Sequence, residues 1–600
     1  MPSPGYALGY PDVVSTIERP TVTGETNELD TRRWRVYLIG SFIVACVLLL
    51  SARLVYLQVI EHAHFGTMAT AEHWRESIIP PRRGDILDTS GNELATSVTY
   101  ESLYASTTEV SDPAAVAQKL APIIGAPASD IQKILSNKQA APTLIKAWLP
   151  DDVATAVEKL GIDGLFLQQE PKRVYPQGNL AAQVLGVVGA DNNGLSGLEL
   201  AYNSELAGKP GKLVAERDTA GDALALGPHQ YTAPINGSTL TLTIDRYVQW
   251  VAERELEAAV SQHHAKGGSV VVLDPRTGAV LAIAGRPTFQ NNATELYSQQ
   301  NVDMYGIPAV SNAYEPGSIF KIVTMAAALD TGTVTPNTSF FNPGYFNYYG
   351  GTIHDAIGRS PGPETMAQTL TYSSNIGVAW AAGQVGAVKF YEYAQRFGIG
   401  RPTDIDLPGE ASGVLRLPTA DDWHPFDLAT NSFGQGLSVT PIQMAAAVAA
   451  VANGGTLMKP YVVKRIESPA ETRLFYPTVV GQVIKPQTAV TLTNMLVQVV
   501  DDNTLGESRL ARVPGYAVAG KTGTAEIPIA GGYSPNRTIA SFAGFAPAEN
   551  PRFVILVRID DPQDSPWGET VAAPVFSAIA RQLINYYQIP PTRGVNANGT

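Results

Sequence analysis

Ser318 and Lys321 stand three residues apart in Glu315-Pro316-Gly317-Ser318-Ile319-Phe320-Lys321, where Pro and Gly close a loop and an apolar helical pattern begins. A hydroxyl in the first turn of a helix lies among unpaired backbone N–H groups, which favour developing negative charge. A residue three positions on shares its face, one turn along. These groups could carry nucleophilic attack on an amide. One S-x-x-K is nevertheless expected about once by chance in a chain of this length, and by itself it reads as structure. Two further groups change that weighting. Thr371-Tyr372-Ser373-Ser374-Asn375 places an S-x-N triplet between helical patterns, and Gly520-Lys521-Thr522-Gly523-Thr524 falls on a predicted strand. Gly523, without a side chain, lets a substrate backbone come close. Ser318 has no histidine partner in these motifs. A lysine crowded by a second cation in a partly dry pocket has a depressed pKa and can act as a base, which makes Lys321, with Lys521 nearby, the candidate activator of Ser318.

The elements that must position these groups begin near residue 236. Asn236-Gly237 is a turn signal, 239–244 alternates like a strand, and Val248, Val251, Leu256 and Val260 mark a helix. Two apolar β-runs, 268–273 and 279–284, are joined by Asp274-Pro275-Arg276-Thr277-Gly278, a hairpin signal. Three more strands are predicted at 517–527, 537–545 and 552–559, and the patterns between, including 322–329 and 441–451, are mostly helical. Strands at both ends with helices between give an α+β domain whose antiparallel sheet is assembled from distant segments. Residues 58–235 read as an irregular mixture, with a strand at 98–105 and short helices at 114–123 and 151–160. No internal repeat is visible.

Composition removes several function classes. A net charge of −13 leaves no basic excess for nucleic acid. One cysteine cannot form an internal disulfide or a Cys-rich metal site, and the eight histidines include no H-E-x-x-H spacing, so no metal is expected. Charged residues at 16% with 44% apolar content exclude a disordered chain. Near the N-terminus, Arg32-Arg33-Trp34-Arg35 precedes seventeen uncharged residues, Val36 to Ala52, and the apolar stretch resumes after Arg53 as far as Ile60. About 20 such residues cross a bilayer, and an arginine near one end can snorkel. The arginine bias keeps the N-terminus in the cytoplasm and exports the rest. A cleaved signal peptide fits less well, because Ala69-Thr70-Ala71 lies far beyond the apolar run. A lipoprotein site at Ile43-Val44-Ala45-Cys46 is disfavoured because Val47-Leu48-Leu49-Leu50 continues the segment, which leaves Cys46 facing lipid.

S-x-x-K, S-x-N and K-T-G in this order resemble the active-site set shared by penicillin-binding proteins and serine β-lactamases. The resemblance extends further. Arg83-Gly84-Asp85-Ile86-Leu87-Asp88 with Gly91-Asn92-Glu93-Leu94-Ala95 is similar to the opening motif of class B penicillin-binding proteins, with Asp88-Thr89 where the family usually has Asp-Arg. Arg173-Val174-Tyr175-Pro176 and Gly194-Leu195-Ser196-Gly197-Leu198-Glu199 resemble two later pedestal motifs. Ser432-Phe433-Gly434-Gln435-Gly436 with Thr440-Pro441-Ile442-Gln443 is similar to the motif beside the catalytic cleft. The match covers roughly residues 36–590. It implies a cytoplasmic tail at 1–35, a transmembrane anchor at 36–57, and a mixed α/β pedestal (dimerisation-like) domain at 58–235. A transpeptidase domain at 236–590, its antiparallel sheet flanked by helices, and a disordered tail at 591–600 would follow.

The implied reaction is peptidoglycan cross-linking without a cofactor. Ser318 attacks the penultimate D-Ala of a stem peptide, releases the terminal D-Ala, and passes the acyl group to a neighbouring strand's amine; β-lactams would acylate Ser318. Ser373 would relay a proton, Asn375 would orient the substrate amide, and Lys521 with Thr522 or Thr524 would hold a terminal carboxylate. By analogy, the N–H groups of Ser318 and Thr524 form the oxyanion hole. No acidic glycosyltransferase motif precedes the pedestal, so a separate SEDS-type polymerase is implied as partner, alongside other divisome or elongasome membrane proteins. Thr352-Ile353-His354-Asp355-Ala356 and Asp404-Ile405-Asp406-Leu407-Pro408-Gly409-Glu410 resemble the division (FtsI-type) branch more than the elongation branch.

The rivals are a D,D-carboxypeptidase or β-lactamase-like hydrolase, which would need a positioned deacylating base that no feature identifies, and a noncatalytic divisome scaffold, against which the intact motifs argue. His354 reads as a loop histidine satisfied by backbone groups, and Tyr348-Tyr349 as loop packing. The adjacent His263-His264 point to different faces. Glu199 is expected in an interdomain hydrogen bond or ion pair.

Overall fold

The computed structural model describes residues 28–65, 74–139, 141–189, 191–216, 229–292, 304–356, 361–502, 508–529 and 531–593. The expected cytoplasmic tail lies outside them up to residue 27, as does the expected disordered tail from 594. The chain divides into two units, Met1–Ser77 with Lys212–Thr232, and Ile78–Gly211 with Ala233–Thr600.

The first unit carries helix α1 (Glu28–Val55), continued by one π-turn, Tyr56–Ile60. Its apolar stretch, Trp34–Ile60, has 27 residues and is long enough to cross a membrane. Leu48, Leu49 and Leu50 are all exposed. A helix that is apolar all round with no core around it is consistent with a single-pass membrane anchor. Most of a three-stranded sheet, with Gly211–Glu216 between Trp74–Ile79 and His229–Thr232, belongs to the same unit.

The second unit begins with β1 (Ile86–Leu87), β2 (Glu93–Ala105), α2 (Pro113–Ile124), α3 (Ala128–Ser136), β3 (Thr143–Leu149), α4 (Asp151–Glu158) and β4 (Leu165–Val174). Within the region expected to be irregular, residues 86–174 are therefore largely regular. β2 pairs antiparallel with β4 from Thr96↔Val174 to Ala105↔Leu165. Helices α2, α3 and α4 close a small core of Leu103, Leu120, Ile131, Leu135, Leu149 and Val157. Asp112 caps α2 by accepting from the N–H groups of Ala114 and Ala115, with Pro113 in the first turn and Gly125 in the left-handed region at the other end.

The chain then forms β5 (Thr239–Leu242), α5 (Arg246–Gln262), β6 (Gly267–Leu273), β7 (Val280–Arg286), α6 (Lys321–Asp330), α7 (Asn375–Val385) and α8 (Pro441–Ala452). Further on come β8 (Val463–Glu467), β9 (Thr472–Leu474), α9 (Pro486–Asp501), β10 (Ala519–Ile529), β11 (Gly532–Ala546), β12 (Phe553–Asp560) and α10 (Ala573–Tyr586), among shorter elements. Five strands form an antiparallel sheet in the order β7-β6-β12-β11-β10, built from the two ends of this segment as the strand pattern anticipated. Alternation decides which side chain faces which layer. Val270 and Val272 pack toward α5 and α10, with Leu256, Phe576 and Ile579. Val271 and Leu273 pack toward the helical layer, with Ile322, Met444 and Leu496. Burial on both faces explains the unbroken apolar runs. Every residue from Pro441 to Val451 in α8 is buried, so its all-round apolarity belongs to a core helix, too short at about 18 Å to span a bilayer.

One strand joins a different sheet from its neighbours in sequence. β5 runs parallel to β1, with Ile86 opposite Leu240, and antiparallel to β8. The order β9-β8-β5-β1-β2-β3 thus mixes N- and C-terminal segments. A period-2 pattern specifies a buried face and leaves the choice of partner open.

Glu199 also departs from expectation. Its carboxylate accepts from Arg83 Nε and Arg173 Nε, both at 2.6 Å, with all three side chains buried. Arg83 Nη2 donates to the Glu199 carbonyl at 2.8 Å. The three motifs that carry these residues are fastened to one another inside the N-terminal region, and the pair is not interdomain. Removing one member of such a group strands a buried charge, at a cost of about 3–5 kcal/mol.

Candidate active site

Ser318 sits in a short 3-10 turn, Gly317–Phe320, that leads directly into α6. The turn is possible because Gly317 adopts φ +54, a left-handed conformation that a side chain would strain. It is sewn to the 434–439 segment by backbone bonds. Gly317 N–H donates to Gly434 O at 3.1 Å, and Tyr314 and Val439 exchange N–H···O bonds at 2.9 Å. A Cβ on Gly434 would stand 2.2 Å from Gly317 O, which explains the glycine in Ser432-Phe433-Gly434-Gln435-Gly436. Thr440 caps α8 in a reciprocal box with Gln443.

Lys321 is fully buried, and its Nζ donates to Ser373 O at 2.5 Å and to Ser373 Oγ at 3.2 Å. Ser373 reaches it from a left-handed backbone, φ +57. A non-glycine residue held there is strained, a condition that clusters at functional sites. Ser374 is the N-cap of α7, its Oγ accepting from Gly377 N–H at 3.0 Å. Asn375 Nδ2 donates to His354 O at 3.0 Å, so His354 enters the site through its carbonyl.

Lys521, also fully buried, lies on β10, and its Nζ donates to Thr522 Oγ1 at 3.2 Å. The strand passes hard against the serine turn. A Cβ on Gly523 would stand 2.5 Å from Ser541 Oγ, 2.8 Å from Ile319 Cγ1 and 2.9 Å from Pro316 O. Gly523 thus admits the protein's own serine turn, a closer constraint than the substrate approach expected of it. Thr524 Oγ1 accepts from Gly568 N–H at 3.2 Å, which leaves its hydroxyl proton free to donate. The fold therefore sets the Ser318 turn against the strand that carries Lys521, Thr522, Gly523 and Thr524, and Lys321 against Ser373, two residues before Asn375.

Sequence reading overlooked the residue that anchors the S-x-N segment. Asp355 Oδ1 accepts from Asn375 N–H at 2.6 Å and Ile376 N–H at 3.1 Å, and Ser374 Oγ donates to the same carboxylate at 3.1 Å. A carboxylate at a helix N-terminus is favoured by the helix dipole. Asn342 Nδ2 holds Asp355 Oδ2 at 3.1 Å and Glu364 Oε2 at 3.0 Å. The only sequence signal was the family-like Thr352-Ile353-His354-Asp355-Ala356, which named no role. Asp355→Ala should cost about 1–2 kcal/mol of stability in urea titration. It should also slow acylation by a fluorescent penicillin about 10- to 100-fold through misplacement of Ser373 and Asn375. An unchanged rate would mean that the segment holds itself.

His263 is buried and pairs with Asp564 at 2.9 Å while His264 is exposed, so the two histidines do diverge. Tyr348 and Tyr349 stack edge-on at 4.8 Å in a small hairpin, as loop packing requires.

A serine at a helix start, with one buried lysine a turn away and a second on the facing strand, in an α+β sandwich, defines an active-site-serine acyltransferase. Residues 268–581 match the family described as penicillin binding protein transpeptidase domain, and residues 78–242 match the penicillin-binding protein dimerisation domain. This chain belongs to the class B penicillin-binding proteins. It is similar to stage V sporulation protein D of Bacillus subtilis, 33% identical over 94% of this chain and 87% of that protein. It is also similar to peptidoglycan D,D-transpeptidase FtsI of Escherichia coli, 31% identical over 93% of this chain and 92% of that one. Among solved structures, penicillin binding protein 3 of Mycobacterium tuberculosis complexed with aztreonam superposes with a TM-score of 0.67 and 29% identity, covering 87% of this chain and all of that one.

Proposed function

We propose that the chain is a peptidoglycan D,D-transpeptidase and a penicillin target, acting in septal wall synthesis. The observation that carries this reading is the contact of the buried Lys321 with Ser373 beside a serine turn pressed against the Lys521–Thr524 strand. Ser318 Oγ attacks the carbonyl carbon of the penultimate D-Ala, and its proton passes to Lys321 Nζ. The N–H groups of Ser318 and Thr524 hold the oxyanion. Collapse breaks the peptide bond, and Ser373 relays a proton from Lys321 to the departing amine of the terminal D-Ala. Asn375 orients the donor peptide, and Lys521, Thr522 and Thr524 hold its carboxylate. The amine of a second stem peptide then attacks the acyl-serine ester, forms the cross-link amide and frees Ser318.

The domain limits proposed are a tail to 35, an anchor at 36–57, a pedestal at 58–235, a transpeptidase domain at 236–590 and a tail from 591. The arginine bias at 32–35 supports an N-terminus in the cytoplasm and a catalytic domain outside the membrane. A SEDS-type glycosyltransferase is the proposed partner, contacted through the span and pedestal. The test supplies the full chain in detergent with a D-Ala-D-Ala stem peptide and an amine-bearing stem peptide. Release of D-Ala with formation of a cross-linked dimer is expected. Release with hydrolysed donor only, however much acceptor is added, would move the enzyme to the carboxypeptidases.

A further inference from the structure

Glu315 has no role in the chemistry above, yet it joins the segment that leads into the Ser318 turn to two neighbouring segments. Its Oε1 accepts from Gly436 N–H at 3.1 Å and from Tyr533 Oη–H at 3.1 Å. Gly436 lies in the segment behind the serine turn. Tyr533 lies on β11 opposite Pro528 of β10, at the outer end of the same hairpin whose inner part carries Lys521 to Thr524. One oxygen, three residues before Ser318, thus bonds to both segments.

We infer that Glu315 is a positioning residue for acylation, whose carboxylate sets the orientation of the Ser318 turn relative to the Lys521–Thr524 strand. The inference rests on the transpeptidase reading. Among the described residues, the other ties between turn and strand are close approaches at Gly317 and Gly523, where a Cβ would stand 2.9 Å from Thr524 O and from Pro316 O respectively. Such contacts have no preferred direction, and a turn resting on them alone could slide along the strand. Hydrogen bonds to a carboxylate are short and directed. Burial pushes the Glu315 carboxyl up, the Gly436 N–H and Tyr533 O–H pull it down, and the nearby Glu526 carboxylate adds to the rise. Burial and the Glu315 charge push the Tyr533 phenol up as well, so it stays protonated and remains a donor. Glu315 Oε2 is buried without a hydrogen-bond partner among the described residues. An unsatisfied buried carboxylate oxygen works against folding, and its presence beside the nucleophile points to a role in the reaction.

The experiment uses the full chain in detergent and a fluorescent penicillin, with time courses at several concentrations to separate the binding constant K from the acylation rate k2. Glu315→Ala should lower k2 about 10- to 100-fold and leave K nearly unchanged, because a shift of the reacting atoms of about 1 Å acts on the chemical step. Glu315→Gln keeps an acceptor oxygen and should recover most of k2. Tyr533→Phe should lower k2 by less and add nothing further in the Glu315→Ala background, since both remove the same link. A wild-type k2 in Glu315→Ala, a change confined to K, or independent losses in the double variant would each overturn the inference. If Glu315→Ala fails to fold, the Gln and Phe variants decide: wild-type k2 in Tyr533→Phe overturns it, and a loss in Tyr533→Phe with near-wild-type k2 in Glu315→Gln upholds it. Failure of the transpeptidase reading looks different: the wild-type chain would then form no adduct, or would hydrolyse its donor peptide without forming a cross-linked dimer.

Discussion

Ser318→Ala is expected to abolish the covalent penicillin adduct, lowering acylation by at least about 10⁴-fold while leaving the melting temperature within a few degrees. The loss is large because no second nucleophile can take over: an ester intermediate needs an oxygen at that point of the helix start, and Ser373 is committed to Lys321. The fold should tolerate the change, since Ser318 is only half-buried and alanine suits a helical turn. Mass spectrometry of the peptide spanning residues 310–325 reads the adduct directly. A persistent adduct on a different serine in the variant would remove Ser318 from its place in the mechanism.

Lys321→Met is expected to lower acylation about 10²- to 10⁴-fold, the usual contribution of a positioned base, with the opposite sign in stability. Methionine approximates the lysine stem in volume and fills the same fully buried space. It also removes a buried amine whose desolvation opposes folding, so the melting temperature should hold or rise. A simple structural defect would lower both. Measuring adduct formation and thermal melting on the same preparation separates the cases. An acylation rate close to wild type would assign the base elsewhere. The Asp355 variant is a useful contrast, because it moves S-x-N as a body and should lose stability and rate together.

Local physics made much of the site legible. The Glu315–Lys321 segment announces a loop closing on Pro-Gly and a helix opening at Ser318, and the structure has that turn, with Gly317 at φ +54. Thr440-Pro441-Ile442-Gln443 was legible as a family-like motif, and the structure adds that Thr440 and Gln443 form a capping box there. The catalytic sheet was readable as well, because its strands are apolar on both faces and bounded by turns. Less of the N-terminal region could be read. Its longest strand, β2, mixes buried and exposed residues as it passes from β1 to β4, and such a run carries no clean period.

The identity of the proposed reacting groups was therefore in the sequence, since side-chain chemistry and the turns that present it are encoded within a few residues. The partners of those groups were decided only by tertiary structure. Lys321 meets Ser373 from 52 positions away, Glu315 meets Tyr533 from 218, and Glu199 binds Arg83 from 116. β5 leaves its sequence neighbours to pair with β1 and β8. The physical reason is the same in each case. A polar side chain or a strand edge states what it needs, a donor, an acceptor or a ladder, but many segments can satisfy that need. The packing of the whole chain selects which one does.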